Sequence, residues 1–376
     1  MPLTPPSHSH NADWMKKALQ EAQKALYLSD PNPRVGCVLV GAQGECIGAG
    51  HTQKAGESHA EVMALRHAHA QGFSTKGATA YVTLEPCSHH GRTPPCTKAL
   101  IEAGIAKVFI AAIDPNSLVS GEGITLLKKA NIEVEQGLFA AQSQELNIGF
   151  FSRMQRNRPW VRLKMASSLD GKIALSNGIS QWITSEPARA NGHAWRARAS
   201  CILTGVGTIL TDNPQLNVRA LAVERQPWHA IADTHLKTPP TARIFENTKN
   251  HHTPVLIYTC STNQEKMQAL SDAGAIICQT PADGHGHVCL QHILHDLGQR
   301  ECNELHVEAG GTLSSALLQQ GLVDEVLAYI APRLIGQGQD FLQGIQPTSL
   351  AETIDFYFHQ VTTIGDDLML LARKKQ

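Results

Sequence analysis

The chain has 376 residues, 42% hydrophobic and 17% charged, the balance of a globular protein and enough length for two ordinary cores. Its 32 Lys and Arg against 33 Asp and Glu exclude the basic field that holds a nucleic-acid backbone, and no run approaches the ~18 apolar residues of a membrane span. Nine cysteines, an odd number behind a start that lacks a secretory pattern, exclude a disulfide framework and point to the reducing cytoplasm.

Met1 to His10, rich in Pro, Ser and His, reads as a tail. From Trp14 the pattern predicts a helix to about Ser29, strands at Val35 to Val40 and near Ile47, and a helix at Ala60 to Ala70. A strand at Ala80 to Leu84, a helix at Pro95 to Glu102, a strand at Lys107 to Ile113, a helix near Leu126 and a strand at Ile132 to Glu135 follow. Ala140 to Met154 reads as one helix leading into a basic, Pro-containing link, Arg153 to Pro159. The alternation is that of an α/β domain, 1–156, with a second α/β domain at 157–376. The latter has seven or so strand candidates: Val161 to Met165, Cys201 to Thr204, His229 to Ala232, Val255 to Tyr258, Ile276 to Cys278, Leu305 to Val307 and Glu325 to Ile330. Cys37, Cys46, Cys201, Cys260, Cys278, Cys289 and Cys302 fall mostly in apolar runs and serve as small hydrophobes. His251-His252 and His285-Gly286-His287 read as surface loops.

His59-Ala60-Glu61 opens a helix, and Thr83-Leu84-Glu85-Pro86-Cys87 is followed after eight residues by Cys96 and another helix. One imidazole and two thiolates suit zinc, and three protein ligands leave a fourth position for water, as a catalytic site requires. Glu61 is then the carboxylate that moves protons between a zinc-activated water and departing ammonia, the chemistry of hydrolytic deamination. A structural zinc site needs a fourth ligand, for which His89 and His90 are available.

The eight residues between Cys87 and Cys96 depart from the shorter Pro-Cys-x-x-Cys pattern. Pro86 to Cys96, Pro-Cys-Ser-His-His-Gly-Arg-Thr-Pro-Pro-Cys, resembles the deaminase family of bacterial riboflavin biosynthesis, as do Asn32-Pro33-Arg34-Val35-Gly36 and Asp114-Pro115-Asn116. The resemblance implies a cytidine-deaminase-like α/β/α fold with zinc on His59, Cys87 and Cys96. It implies that Asn32 contacts the pyrimidine, while His89, Arg92, Asp114 and Asn116 hold the ring or the ribose phosphate. A guanidinium such as Arg92 is physically apt for a phosphate. Asp114 and Asn116, taken alone, also read as turn formers.

In the second half, Ala166 to Lys172, Gly205 to Thr208, Asp212-Asn213-Pro214 and Glu308 to Leu313 follow strands in order. The Gly310-Gly311 pair reads equally as a turn or as a phosphate cradle at a helix start. As a set these segments resemble the reductase domain of the same riboflavin enzyme family. That resemblance implies a dihydrofolate-reductase-like α/β fold and NADPH as hydride donor. Carried over, Ala166, Trp182, Thr208, Asp212, Thr234, Gly310, Gly311 and Thr312 line the cofactor, with Asp212 near the reacting carbon. Ser180, Arg196, Leu216, Arg219 and Glu308 line the substrate, Arg196 and Arg219 as phosphate clamps. The expected substrate is a phosphoribosylated pyrimidine and the expected assembly a homodimer, with neither nucleic acid nor membrane as partner. Two other readings are a nucleic-acid or free-nucleoside deaminase with an accessory nucleotide-binding domain, whose nucleic-acid form is opposed by the 5% aromatic content and the balanced charge, and a binding module with structural zinc, which is opposed by Glu61.

Overall fold

The structure, a computed structural model, describes residues 8–89, 94–116 and 119–375, and the chain divides into two compact units, 1–157 and 158–376. The first contains α1 (His8–Lys24), β1 (Gly36–Val40), β2 (Cys46–His51), α2 (Ala60–Ala70), β3 (Thr79–Leu84), α3 (Cys96–Glu102), β4 (Lys107–Ala112), α4 (Glu122–Lys129), β5 (Glu133–Gln136), α5 (Ala140–Leu146) and α6 (Ile148–Arg156). Its sheet runs β2-β1-β3-β4-β5, antiparallel through β3 and parallel beyond. One face packs Val38, Val40, Tyr81 and Phe109 against Met15 and Ala18 of α1. The other packs Cys37, Leu39, Val82, Val108 and Ile110 against α2, α3 and α4, giving an α/β/α sandwich.

Three expectations change. Residues 8–10 belong to α1, which ends at Lys24, because Met15, Ala18 and Ala22 form a buried stripe that docks the helix on β1; residues 1–7 of the expected tail lie outside the described residues. The single helix at Ala140 to Met154 is broken at Asn147, whose buried amide leaves the helix to pair with the backbone of Arg34, accepting its N–H (2.7 Å) and donating to its carbonyl (3.0 Å). The basic link is largely helical, since α6 continues to Arg156 and stops at Asn157, which takes a left-handed conformation (φ 54°).

The second unit contains β6 (Trp160–Ser168), β7 (Lys172–Leu175), α7 (Glu186–Arg198), β8 (Cys201–Gly205), α8 (Val206–Asp212), β9 (Trp228–Ala232), α9 (Glu246–His251), β10 (Val255–Thr259), α10 (Gln264–Asp272), β11 (Ala275–Gln279), α11 (Leu290–Gln299), β12 (Glu304–Val307), α12 (Gly311–Gln319), β13 (Glu325–Ala331), β14 (Gly338–Asp340), β15 (Phe356–Ile364) and β16 (Asp367–Lys374). Nine strands form one sheet in the order β11-β10-β9-β8-β12-β6-β13-β16-β15, and β14 pairs with β7 separately. The strands from β11 to β13 are parallel, and the β15–β16 hairpin closes one edge antiparallel. The sequence reading omits β7, β14, β15 and β16: the first two are short, and β15 is solvated on both faces, so it carries no apolar period. Cys46 is exposed and His251 ends α9, whereas His285 and His287 lie on an exposed loop.

A charged row crosses this sheet under α7. Arg162 is 1% exposed and bonds Glu325 (2.5 Å) and Glu304 (2.8 Å); Arg373 completes Glu325 (2.9 Å) and Arg198 completes Glu304 (2.8 Å). The Trp195 ring covers Arg162 at 4.3 Å. Removing the central cation strands two buried carboxylates, so Arg162→Met should destabilise the second unit by about 3–5 kcal/mol in urea unfolding.

His229 and His306 are also buried in this sheet, and burial holds them down to about 4 and about 3 respectively. Both are neutral in the folded chain, whereas the unfolded chain takes up their protons as the pH falls through ~6.5. Stability is therefore lost from ~6.5 downward, on the order of 3 kcal/mol per histidine once the pH is below the folded values. Urea midpoints measured from pH 7.5 to 5 should fall with acid, and His229→Gln should make that slope shallower.

Candidate functional site

In the first unit the position of α2 follows from small residues. Cβ atoms added to Gly48 and Gly50 of β2 would lie 2.4 Å from the Ala64 carbonyl and 2.5 Å from the Ala64 nitrogen, so the stripe Ala60, Ala64 and Ala68 rests in backbone contact with the strand. That contact fixes the helix start, where His59 is the N-cap and Glu61 lies in the first turn, 3% exposed. Cys87 follows the end of β3 and Cys96 begins α3.

The ligand-type atoms of His59, Cys87 and Cys96 lie within 4.8 Å of one another. His59 Nδ1 is 3.2 Å from Cys96 Sγ and 3.6 Å from Cys87 Sγ, near the ~3.5 Å that a tetrahedral zinc sets between such donors. The hydrogen bond with Cys96 pulls the Cys87 thiol down to about 4, while Cys96 is pushed up by the same bond and by burial. The hydrogen bond with Cys87 raises His59, and burial followed by the Cys87 charge raises Glu61.

Asp114 and Asn116 leave the end of β4, and Asp114 accepts the Asn116 N–H at 2.8 Å. Burial pushes Asp114 up to about 6, and Glu85 and Cys87 add to the rise. Asn32 is half-buried before β1, donating its N–H to the Ser29 carbonyl at 2.8 Å. His89 is exposed two residues after Cys87, and His90 and Arg92 lie outside the described residues.

In the second unit, Glu308 follows β12 and is held by the Arg196 side chain through two bonds, the second 2.9 Å from Nη2 to Oε2. Burial opposes its charge, but the Arg196 guanidinium holds it well below the usual carboxylate range. Arg196 also donates to the Asn217 carbonyl at 3.2 Å, so its fork is turned toward Glu308, and the exposed Arg219 is anchored by its N–H on His193 Nδ1 (3.4 Å). The Leu216 side chain belongs to the core, and its left-handed backbone (φ 55°) turns its carbonyl to His229.

Gly310 caps α12 and donates its N–H to Thr208 Oγ1 at 3.3 Å, joining two expected cofactor positions. The two glycines separate: a Cβ on Gly310 meets nothing closer than Thr208 Oγ1 at 4.0 Å, whereas one on Gly311 would strike the Phe341 carbonyl at 2.9 Å. Gly311 therefore serves packing, while Gly310 leaves open space at the helix start, where Thr312 also stands exposed. Asp212 lies at the exposed end of α8. Ser180 and Trp182 lie on the exposed stretch between β7 and α7, where Arg189 stacks over the Trp182 ring at 4.5 Å and Arg333 bonds the Trp182 carbonyl at 3.1 Å. Thr234 follows β9 and accepts the Val288 N–H at 3.3 Å, and Ala166 lies in β6 beside Tyr329.

Lys164 is absent from the sequence reading. It shares the β6 face of Arg162, and burial lowers its ammonium while the Glu308 charge opposes that shift. The signal was present, since two cations two residues apart on an otherwise apolar strand must face one polar site. An apolar cavity of about 610 Å³, lined by Leu163, Met165, Phe341 and Phe356, opens on the opposite face, and none of the expected site residues among the described ones lines it.

The family model described as RibD C-terminal domain matches residues 159–370, and that described as the cytidine and deoxycytidylate deaminase zinc-binding region matches residues 8–112. The chain is 41% identical over 368 residues to the riboflavin biosynthesis protein RibD of Escherichia coli (strain K12), covering 95% of this chain and 97% of that one. It is 39% identical over 362 residues to RibD of Aquifex aeolicus (strain VF5), covering 96% and 98%. The solved structure of Acinetobacter baumannii RibD, form 1, superposes with a TM-score of 0.88 at 41% identity, covering 98% of this chain and 99% of that one. A deaminase/reductase structure from Thermotoga maritima gives 0.86 at 33% identity, covering 98% and 100%. Agreement of this extent along the whole chain shows that it belongs to the RibD family of riboflavin biosynthesis, with a deaminase unit followed by a reductase unit.

Proposed function

We propose that the first unit removes ammonia hydrolytically from 2,5-diamino-6-(phosphoribosylamino)pyrimidinone. The second then reduces the ribosyl group of 5-amino-6-(5-phosphoribosylamino)uracil to ribityl with NADPH. The observation that carries the reading is the buried Glu61 beside the donor atoms of His59, Cys87 and Cys96. One nitrogen and two sulfur donors fit zinc, which supplies the Lewis acidity that activates a water near neutral pH. Glu61 would carry a proton from the attacking water to the leaving amine, a task for which its raised affinity for protons suits it. Asn32, His89, Arg92, Asp114 and Asn116 hold the ring and the phosphoribosyl group.

In the second unit the opening beside Gly310 and Thr208 fits a phosphate of NADPH, with Ala166, Trp182, Asp212, Thr234 and Thr312 completing the cofactor side. The cofactor supplies the hydride. Glu308, oriented by Arg196, and Lys164 orient the ribosyl hydroxyls, while Arg219 attracts the phosphate and Ser180 and Leu216 complete the wall. A homodimer in the cytoplasm belongs to the same proposal. The nine cysteines are unbridged, and β15 is an edge strand with Phe358 68% exposed, which another chain can cover. No helix among the described residues is long and apolar enough to cross a membrane.

With zinc, NADPH and the diaminopyrimidine, ammonia should appear before NADPH is consumed. Glu61→Gln should slow ammonia release by a factor of about 10² to 10⁴, and supplied uracil compound should restore NADPH consumption. Absence of ammonia from zinc-loaded wild type would refute the substrate assignment. Glu308→Gln should lower kcat/KM for the reduction about tenfold or more and leave ammonia release unchanged.

A further inference from the structure

Glu85 joins the strand end that leads to Cys87 to the turn that carries Asp114 and Asn116. Its side chain is buried, and both carboxylate oxygens are engaged by backbone. Oε2 accepts the N–H groups of Asp114 (3.3 Å) and Gly121 (3.0 Å), and Oε1 those of Gly123 (3.0 Å) and Ile124 (3.3 Å). Gly123 and Ile124 stand in the first turn of α4, where N–H groups lack intrahelical acceptors and a negative charge is favoured. A Cβ on Gly123 would lie 2.2 Å from the Pro86 carbonyl, so α4 rests on the backbone directly before Cys87. The Asp114 carboxylate in turn accepts the Asn116 N–H, so the turn is tied to Glu85 through the Asp114 N–H.

We propose that Glu85 is a positioning residue for the deamination. It clamps the Asp114–Asn116 turn and the start of α4 onto the strand end that carries Cys87, so the substrate-holding turn and the metal ligands keep one geometry. The inference rests on the deaminase reading above. Charge and shape are both needed: the amide of glutamine has one accepting oxygen and turns an NH2 toward two of the four donors.

The test uses full-length, zinc-loaded Glu85→Gln and, separately, Gly123→Ala, which disturbs the same docking from the α4 side. The readouts are KM and kcat for ammonia release, zinc per chain, NADPH consumption from supplied uracil compound, and hydrogen exchange at the amides of Asp114, Gly121, Gly123 and Ile124. The expected result is a KM raised about tenfold or more with a smaller change in kcat, faster exchange at the four amides, and unchanged zinc content and reduction. A KM within about twofold of wild type, or zinc lost in proportion to activity, overturns the proposal. If Glu85→Gln does not fold, Gly123→Ala carries the same two outcomes. Wild-type protein that releases no ammonia overturns the substrate reading instead, and exchange at the four amides then decides whether Glu85 holds the turn.

Discussion

A charge removed from water must find a partner of opposite sign or a set of aligned dipoles, and both units are arranged around that constraint. In the second unit Arg162 lies between Glu304 and Glu325, with Arg198 and Arg373 beyond them. The partners come from β6, β12, β13, β16 and α7, elements far apart in sequence, so the ion pairs exist only when the strand order is correct. Glu308, Arg196 and Lys164 continue the same face toward the strand ends. In the first unit Glu85 has aligned N–H groups in place of a cation.

Both sites sit where parallel strands end and helices begin. Cys87 and Asp114 follow β3 and β4, as Glu308 and Thr208 follow β12 and β8. At that edge the backbone leaves the sheet and helix starts present N–H groups, so polar side chains and anionic substrates meet donors rather than a closed ladder. The residues that set these positions are small: Gly48 and Gly50 seat α2, Gly123 seats α4, and Gly311 admits the chain at Phe341. Side chains there would displace the helix starts by more than a hydrogen bond tolerates.

Most of the fold was legible where a segment is buried on one or both faces. The strands β1, β3, β4, β8, β10 and β12 announced themselves as short apolar runs, because a strand covered on both faces has no solvent side. The hairpin of β15 and β16 was not legible, since β15 is an exposed edge whose pairing, rather than its side chains, makes it a strand. Asn147 illustrates the same limit: nothing local marks it as a helix break, and its buried bonds to Arg34 reach a residue 113 positions away.

By itself the sequence determined the α/β class and the metal-type donor set, because periodicity, composition and ligand chemistry are properties of residues and their spacing, whereas the chemistry of the second half was read only from its resemblance to a known family. Tertiary structure decided which polar groups share a buried space. Only the folded sheet lets the charge of Glu308 act on Lys164, turns the Arg196 fork toward that carboxylate, and gives Glu85 the four N–H groups that tie the Asp114 turn to the strand end before Cys87. The physical reason is that burial and pairing depend on distance in space, and a linear pattern records that distance only within a single helix or strand.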